Sequence, residues 1–395
     1  MTFRLHVDGS RWSNHLASVR RAFPGLVPVI KGNGYGFGQG LAAKQAAQLH
    51  LDTVAVGVPG EIADVAERFA GEIVVLEPWD PSYSVGRGRL FAAQRVVLTI
   101  SRADALRAIA VESGVGPPIR VVLEGRTSLQ RFGMSTDELA DGLSDPVVAD
   151  AVTAGRLQVV GLSLHLPMTQ PEVRNVAVLS HDAVPPATGR VREVLGWSGV
   201  WSRARQSLSG PTTTAAPTMA ATVWVSHLAV DEVTALRRLV PDLDLRHRVG
   251  TRLWLGDRQA YAPRATVLAV HDVSPGTRVG YRQRRAPRGT RVLVVAGGTA
   301  HGVALTAPSP AGTARQRVVT AGTGALDAVG RARSPFTVAG RRLWFAEPPH
   351  AQVSMLWLPD SAAVPRVGDA VDVDVRMTTV RFDEVVIVAP GNTAS

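Results

Sequence analysis

The sequence predicts an α/β protein, a (β/α)8 TIM barrel followed by a C-terminal all-β domain. Three observations support this. Short β-branched apolar runs recur through the first two thirds of the 395 residues, and helix-like stretches separate most of them. From about residue 259 the pattern changes to strand-length runs joined by turns, with few helical stretches between them. The early runs are continuously apolar rather than alternating, as expected of strands buried on both faces of a parallel sheet. Eight βα units over about 250 residues match a barrel in number and size, whereas an open doubly wound sheet more often stops at five or six strands.

The runs are LVPVI (26–30), TVAVG (53–57), EIVVLE (72–77), RVVLTI (95–100), IRVVLE (119–124), LQVVGLSLH (157–165), TVWVS (222–226) and LRHRV (245–249). GQGLAAKQAAQLH after the first and PGEIADVAERF after the second place apolar residues at helical spacing. The second also has acids in its first turn, where the helix dipole favours them. The barrel is expected over residues 8–258 and the β domain over 259–395, with residues 1–7 a candidate to join the latter. RATVLAVHDVSPGTRVGY, TRVLVVAGG, RLWFAEPPHAQVSMLWLP and DAVDVDV supply the late strands. From Gln170 to Ala221 one βα connection lengthens and ends in a Pro/Ser/Thr/Ala-rich run. A loop that long is functional or disordered, and the composition points to partial disorder.

Composition excludes whole classes of chemistry. The chain has no cysteine, so disulfides, thiolate metal sites and a Cys nucleophile are ruled out. The net charge is +10, from 43 Lys+Arg against 33 Asp+Glu, but only Lys31 and Lys44 are lysines. The arginines are scattered among acids and apolar runs, without the basic helix or aromatic-interleaved patch of a nucleic-acid reader. The opening MTFRLHVDGSRW lacks a secretory core, and no run approaches a membrane span of roughly 18–20 apolar residues. A cytoplasmic protein with no nucleic-acid or membrane partner is expected. No metal is expected either, because His301 and His350 are too few to form a ligand set.

In a barrel of this kind the site is built at the C-terminal ends of the strands. Lys31 ends the first strand, in VIKGNGYGFG. A lysine there is costly unless it is paired, modified or desolvated for nucleophilic work, and desolvation frees an amine able to form a Schiff base. Glu124 ends the fifth strand, with Arg131 following in LEGRTSLQRFG; His165 ends the sixth; Ser226, followed by His227, ends the seventh; the eighth runs through Arg248 into Gly250 and Thr251. Taken singly, His165 reads as a satisfied strand-end histidine, Ser226 as a helix cap and Arg248 as a surface ion-pair partner. Their joint placement favours a site. Loops after the last two strands commonly bind phosphate through hydroxyls and backbone N–H groups, which Ser226, Gly250 and Thr251 could supply. A Schiff-base lysine, a phosphate cup and a buried arginine in one barrel mouth suggest pyridoxal 5'-phosphate.

Lys31 to Gly38, KGNGYGFG, resembles the cofactor-lysine motif of the alanine racemases, the fold-type III pyridoxal-phosphate enzymes. Thr127 to Gly133, GLSLH, Arg248 to Gly250 and VGYRQR resemble further family stretches in the same order. The resemblance implies that Lys31 holds the cofactor and acts as acid/base on one face of the substrate. It also implies that Tyr281 is the base on the opposite face, delivered across a head-to-tail homodimer. His165 and Arg248 would polarise that tyrosine and keep the cofactor's ring nitrogen unprotonated. Tyr35, Ser226, Gly250 and Thr251 would hold the phosphate, and Arg131 would lie near the phenolic oxygen. The implied activity is interconversion of L- and D-alanine, which feeds peptidoglycan synthesis.

The sequence departs from the family at several points. Glu124 stands where the family often has a carbamylated lysine, and its carboxylate could orient Arg131 without modification. A glycine-tyrosine-alanine-aspartate-glycine turn appears as Gly298-Thr299-Ala300-His301-Gly302. The cysteine-methionine-aspartate pocket loop is absent, and the region reads RLWFAEPPHAQVSM, with Glu347, His350 and Met355. A late phosphate-binding tyrosine has no clear counterpart. Two alternatives therefore stand beside alanine racemisation: a racemase or epimerase of another or larger amino acid, and a catalytically weak cofactor-binding homologue.

Overall fold

The computed structural model describes residues 2–82, 94–114, 116–170, 188–208, 219–305 and 332–388. The chain divides into two compact units, one formed by residues 16–31 and 39–254, the other by 1–15, 32–38 and 255–395.

Strand β1 (Phe3–Asp8) belongs to the second unit. The first unit contains the eight runs expected from the sequence, each as a strand: β2 (Leu26–Pro28), β3 (Thr53–Val56), β4 (Glu72–Pro78), β5 (Val96–Ile100), β6 (Ile119–Gly125), β7 (Leu157–Leu164), β8 (Val223–Ser226) and β9 (Leu245–Val249). They form one eight-stranded sheet in the order β2-β9-β8-β7-β6-β5-β4-β3, with every pairing parallel. The two ends of the sheet meet through a bridge between Val29 and Ala55, where the Ile30 N–H donates to the Ala55 carbonyl at 2.7 Å. This is the expected TIM-like barrel. Its interior is packed with Val27, Val29, Ala55, Val74, Val97, Val122 and Trp224. Side chains of this kind stabilise by roughly 1.5–3 kcal/mol each when fully buried, so the barrel is a filled core closed beneath its C-terminal mouth.

Part of the long connection after β7 is helical. Residues 189–208 form a 20-residue helix whose Val191, Val194, Trp197 and Trp201 are buried. They recur every three or four residues and so line one face. The intervening Ser, Gly and Arg residues obscure that stripe in a composition count. Residues 171–187 and 209–218 of this connection lie outside the described residues.

In the second unit β1 joins β10 (Tyr261–Asp272), β13 (Thr290–Ala296), β14 (Arg333–Val338), β15 (Arg341–Phe345), β16 (Val353–Pro359), β17 (Ala370–Val373) and β18 (Glu384–Val388). The order is β13-β16-β15-β14-β17-β10-β1-β18, and β13 also pairs with β10, which closes a ring within the sheet. All of these pairings are antiparallel except β1 with β18. A separate two-stranded hairpin of β11 (Arg278–Val279) and β12 (Arg284–Arg285) carries residues 280–283 at its head. Residues 32–38 group with this unit because the Asn33 amide donates to the carbonyls of Met377, at 2.7 Å, and Val380.

Candidate active site

Strand parity determines which side chains reach the barrel interior, because alternate residues face opposite sides. Val27 on β2, Val29 just past its end, Val122 on β6 and Trp224 on β8 belong to the interior cluster. One step further along the same faces come Lys31, Glu124 and Ser226. Arg248 lies level with Val27 and Ser226 in the register. Ser163, level with Trp224, puts His165 on the same face. The sequence thus folds into an apolar plug capped by a polar layer, and that layer brings together the strand-end residues expected to converge.

Arg248 is 8% exposed and donates from one terminal nitrogen to the Leu164 carbonyl at 2.8 Å. Its Nε is buried without a hydrogen-bond partner. Burial lowers its pKa to about 10; Glu124 opposes that shift and Arg131 adds to it. Glu124 is 4% exposed, and its Oε2 also lacks a partner. Burial pushes its carboxyl up, against the pull of Arg248 and then Arg131. Unpartnered buried polar atoms are costly and uncommon in native proteins. Two of opposite sign in one mouth mark a place built for a further polar group.

Arg131 is exposed and turns its guanidinium over the Phe132 ring at 5.2 Å. The carboxylate expected to orient Arg131 acts first on Arg248.

His165 places Nδ1 3.1 Å from the Ser226 hydroxyl, which accepts the Leu166 N–H at 3.2 Å. The hydroxyl has two lone pairs, so it can accept from both Leu166 and Nδ1 or donate to Nδ1, and the imidazole tautomer sets which. The His165 pKa is lowered to about 2, by burial first and then by Arg248, Arg131, His227 and Lys31. The ring is therefore a neutral donor at physiological pH. The Ser226 hydroxyl, expected to serve a phosphate, lies within hydrogen-bond reach of this histidine and of the Leu166 N–H.

Lys31 is exposed at the mouth, although its amine is partly desolvated. Partial burial, then the repulsion of Arg131 and Arg248, holds its amine below the ordinary value, with Glu61 opposing. Glu61 escapes a motif reading because an acid in the first turn of a helix has an ordinary explanation. Its carboxylate accepts the Gly57 N–H at 2.6 Å. The site is tight at Gly57, where a Cβ would come 3.1 Å from both the Glu61 Oε2 and the Lys31 Cβ, so one of these would have to shift. His227 was also not assigned a role: it adopts φ 58° and meets the His165 ring edge-on at 5.1 Å.

Thr127 donates to the His165 carbonyl at 2.5 Å, so the loop after β6 is tied to the end of β7. Gly250 and Thr251 lead from β9 into the short helix Thr251–Leu255, with Thr251 exposed. Tyr35 and Tyr281 belong to the other compact unit. Tyr35 is buried in a left-handed conformation (φ 58°), and burial raises its phenol pKa to about 12. Tyr281 sits at the hairpin head and is 85% exposed.

Residues 7–194 match the family model described as alanine racemase, N-terminal domain. Over that stretch the chain is similar to the alanine racemases. It is 26% identical over 296 residues to an alanine racemase of Nitratidesulfovibrio vulgaris, covering 72% of this chain and 71% of that one. Among solved alanine racemases, that of Bacillus anthracis with bound L-Ala-P superposes with a TM-score of 0.63 at 17% identity, covering 98% of this chain and 87% of that one. That of Bartonella henselae, with covalently bound pyridoxal phosphate, gives 0.63 at 13% identity, covering 98% and 100%. That of Clostridium difficile gives 0.65 at 13% identity, covering 99% and 96%. The barrel and the β unit are thus those of the alanine racemase fold. No helix among the described residues is long and apolar enough to cross a membrane.

Proposed function

We propose that the protein is a pyridoxal 5'-phosphate-dependent amino-acid racemase working by two bases, with alanine as the simplest substrate. The observation that carries this reading is the buried, unpartnered Nε of Arg248 beside a lysine whose amine is held below its ordinary pKa. The residues present fit the cofactor. Lys31, Arg131 and Arg248 supply cations for an anionic group, and the Arg248 Nε supplies a donor for a ring nitrogen or oxygen acceptor. When bound, the cofactor supplies an electron sink that acidifies the substrate Cα–H.

Lys31 would hold the cofactor and serve one face of the substrate; its lowered pKa raises the fraction of free amine that both tasks need. Arg248, still charged at neutral pH, would disfavour a second positive charge on the acceptor it meets. That moderates the sink and limits side reactions. His165, neutral and held beside Ser226, would present its other ring nitrogen, Nε2, to the site. Arg131 would lie near the cofactor's phenolic oxygen, and Tyr35, Ser226, Gly250 and Thr251 would hold its phosphate. Tyr281, exposed on its hairpin, would act on the opposite face in a second copy of the chain, arranged head to tail. Inversion needs this second group, because a single base returns the proton to the face it came from. Work on L- and D-alanine in the cytoplasm, for peptidoglycan, completes the reading.

A racemase for a larger amino acid is a second reading, favoured by the turn at 298–302. There His301 receives the Gly298 N–H on Nδ1 at 3.2 Å and meets Asp383 through Nε2 at 3.1 Å. The turn that departs from the family is therefore pinned by its own contacts. Mixing the protein with pyridoxal phosphate should give a yellow complex that borohydride fixes at Lys31. A panel of L-amino acids in deuterium oxide should then show racemisation coupled to Cα exchange, and the fastest member identifies the substrate. A protein that stays colourless, with no adduct at Lys31, overturns the cofactor and with it the racemase.

A further inference from the structure

Tyr281 is exposed, yet everything beneath it is fixed. Glu347 is 2% exposed, and its carboxylate faces the hairpin head from below. One oxygen accepts the Tyr281 N–H and the other the Arg282 N–H, each at 3.1 Å. The first oxygen also accepts Nε2–H of His350 at 2.6 Å. The His350 ring in turn lies against the Tyr281 ring, with centroids 4.5 Å apart and planes 39° from parallel. The backbone of His350 is itself held, donating to Val353 at 2.9 Å and accepting from Thr299 at 2.9 Å. Gly280 completes the arrangement: it adopts φ +76°, and a Cβ there would stand 2.2 Å from the Glu347 carboxyl carbon.

A buried carboxylate accepting two adjacent backbone N–H groups and a histidine is fully used by one short turn. Burial would raise its pKa, but the hydrogen bonds from Arg282, His350 and Tyr281 outweigh that and hold it below the ordinary value. Such a carboxylate fixes both the position and the direction of the peptide bearing Tyr281. An exposed aromatic side chain ordinarily samples its rotamers on the nanosecond scale. Here a ring fixed to the same carboxylate lies against it.

We propose that Glu347 and His350 are a positioning pair for the Tyr281 phenol, Glu347 fixing the backbone of the hairpin head and His350 fixing the ring. This rests on the reading of Tyr281 as the second acid/base and adds the residues that aim it. Neither residue touches the reacting atoms. Both act through the tyrosine, and a misplacement of about 1 Å can cost about a hundredfold in rate.

The test uses the full-length protein loaded with pyridoxal phosphate and the amino acid it racemises fastest. H350L should lower kcat by about tenfold to a hundredfold with KM nearly unchanged, as expected for a group that matters in the transition state rather than in binding. In a Y281F background, H350L should cost nothing further, because a residue acting only through the phenol has no effect once the phenol is gone. Hydrogen exchange on the cofactor-free protein gives a readout independent of activity: E347Q should accelerate exchange of the Tyr281 and Arg282 amides while leaving the barrel amides protected. If E347Q fails to fold, the H350L and Y281F cycle decides alone. An inactive Y281F beside an H350L at full kcat overturns the positioning pair and spares the tyrosine. A fully active Y281F overturns the tyrosine's role and the pair with it. A further loss of tenfold or more on adding H350L to Y281F shows general structural damage and also overturns the proposal.

Discussion

In the barrel mouth, Arg248 and Glu124 are buried and each keeps a polar atom without a partner. At the hairpin head, Glu347 is buried just as deeply, but both its oxygens are engaged and the phenol of Tyr281 is left in solvent. The difference separates two ways of building a reactive surface. A pocket that must receive a group leaves polar atoms unpaired, so that the incoming group can satisfy them. A surface that must present a group satisfies its internal polar atoms and leaves only the presented one exposed.

The largest effect expected from this contrast is on stability. Arg248→Met keeps most of the volume but removes the cation whose field favours the charged form of the buried Glu124 carboxylate, and leaving a buried charge uncompensated costs about 3–5 kcal/mol. Glu347→Gln leaves a neutral acceptor and one mismatched donor at the edge of a small hairpin, where a lost hydrogen bond costs about 1–3 kcal/mol. Urea denaturation of the cofactor-free variants measures both. Equal losses would show that the two regions do not differ, and the contrast would fail. Glu124→Gln added to Arg248→Met should recover part of the larger loss, because it removes the stranded charge.

Much of the mouth was legible in the sequence, for a physical reason. Strand alternation and the barrel's site at its C-terminal end together force Lys31, Glu124, His165, Ser226 and Arg248 into one layer, whatever the packing details. The scarcity of lysine then makes Lys31 conspicuous. The hairpin pedestal was not legible in this way. Glu347 and His350 are an ordinary i, i+3 pair until the fold brings Gly280 and Tyr281 against them, and no local periodicity encodes a contact across more than sixty residues. The helix at 189–208 was hidden for another reason, since its two buried tryptophans are surrounded by residues typical of loops. The His165 pKa depends on burial and on Arg248, Arg131, His227 and Lys31, which lie at or beyond the ends of four other strands, and is a property of the assembled mouth alone.

A smaller effect concerns pH. His165 and His247 have pKa values lowered to about 2 and about 4, in both cases by burial first. Above about pH 6.5 neither the folded nor the unfolded chain protonates them, and their full contribution to stability is present. As the pH falls below that value the unfolded chain takes up protons that the native state refuses, so stability is lost until the folded pKa is reached. Between pH 7 and pH 5 each site should cost up to about 2 kcal/mol. His247→Asn should flatten that slope by about the same amount, measured by urea denaturation at the two pH values. A slope unchanged by the substitution would mean that His247 is protonated in the fold, against its 2% exposure and unpartnered Nε2. The hairpin head should contribute little to this slope, because the native state already holds the Glu347 carboxylate charged.

The smallest effect is the most discriminating for the presenting surface. Tyr281 is 85% exposed, so Tyr281→Ala removes little buried area, and surface changes of this kind stay within about 0.5 kcal/mol. The hydrogen bonds below use the backbone N–H of residue 281 and survive the substitution, while only the stack on His350 is lost. A tyrosine conserving the core of the hairpin would behave differently, giving a loss of several kcal/mol and a change in the denaturant slope. Near-wild-type unfolding together with loss of racemisation would place the entire value of the phenol in chemistry. Substantial destabilisation would instead make Tyr281 part of what holds the hairpin together, and the distinction between a receiving mouth and a presenting head would no longer hold.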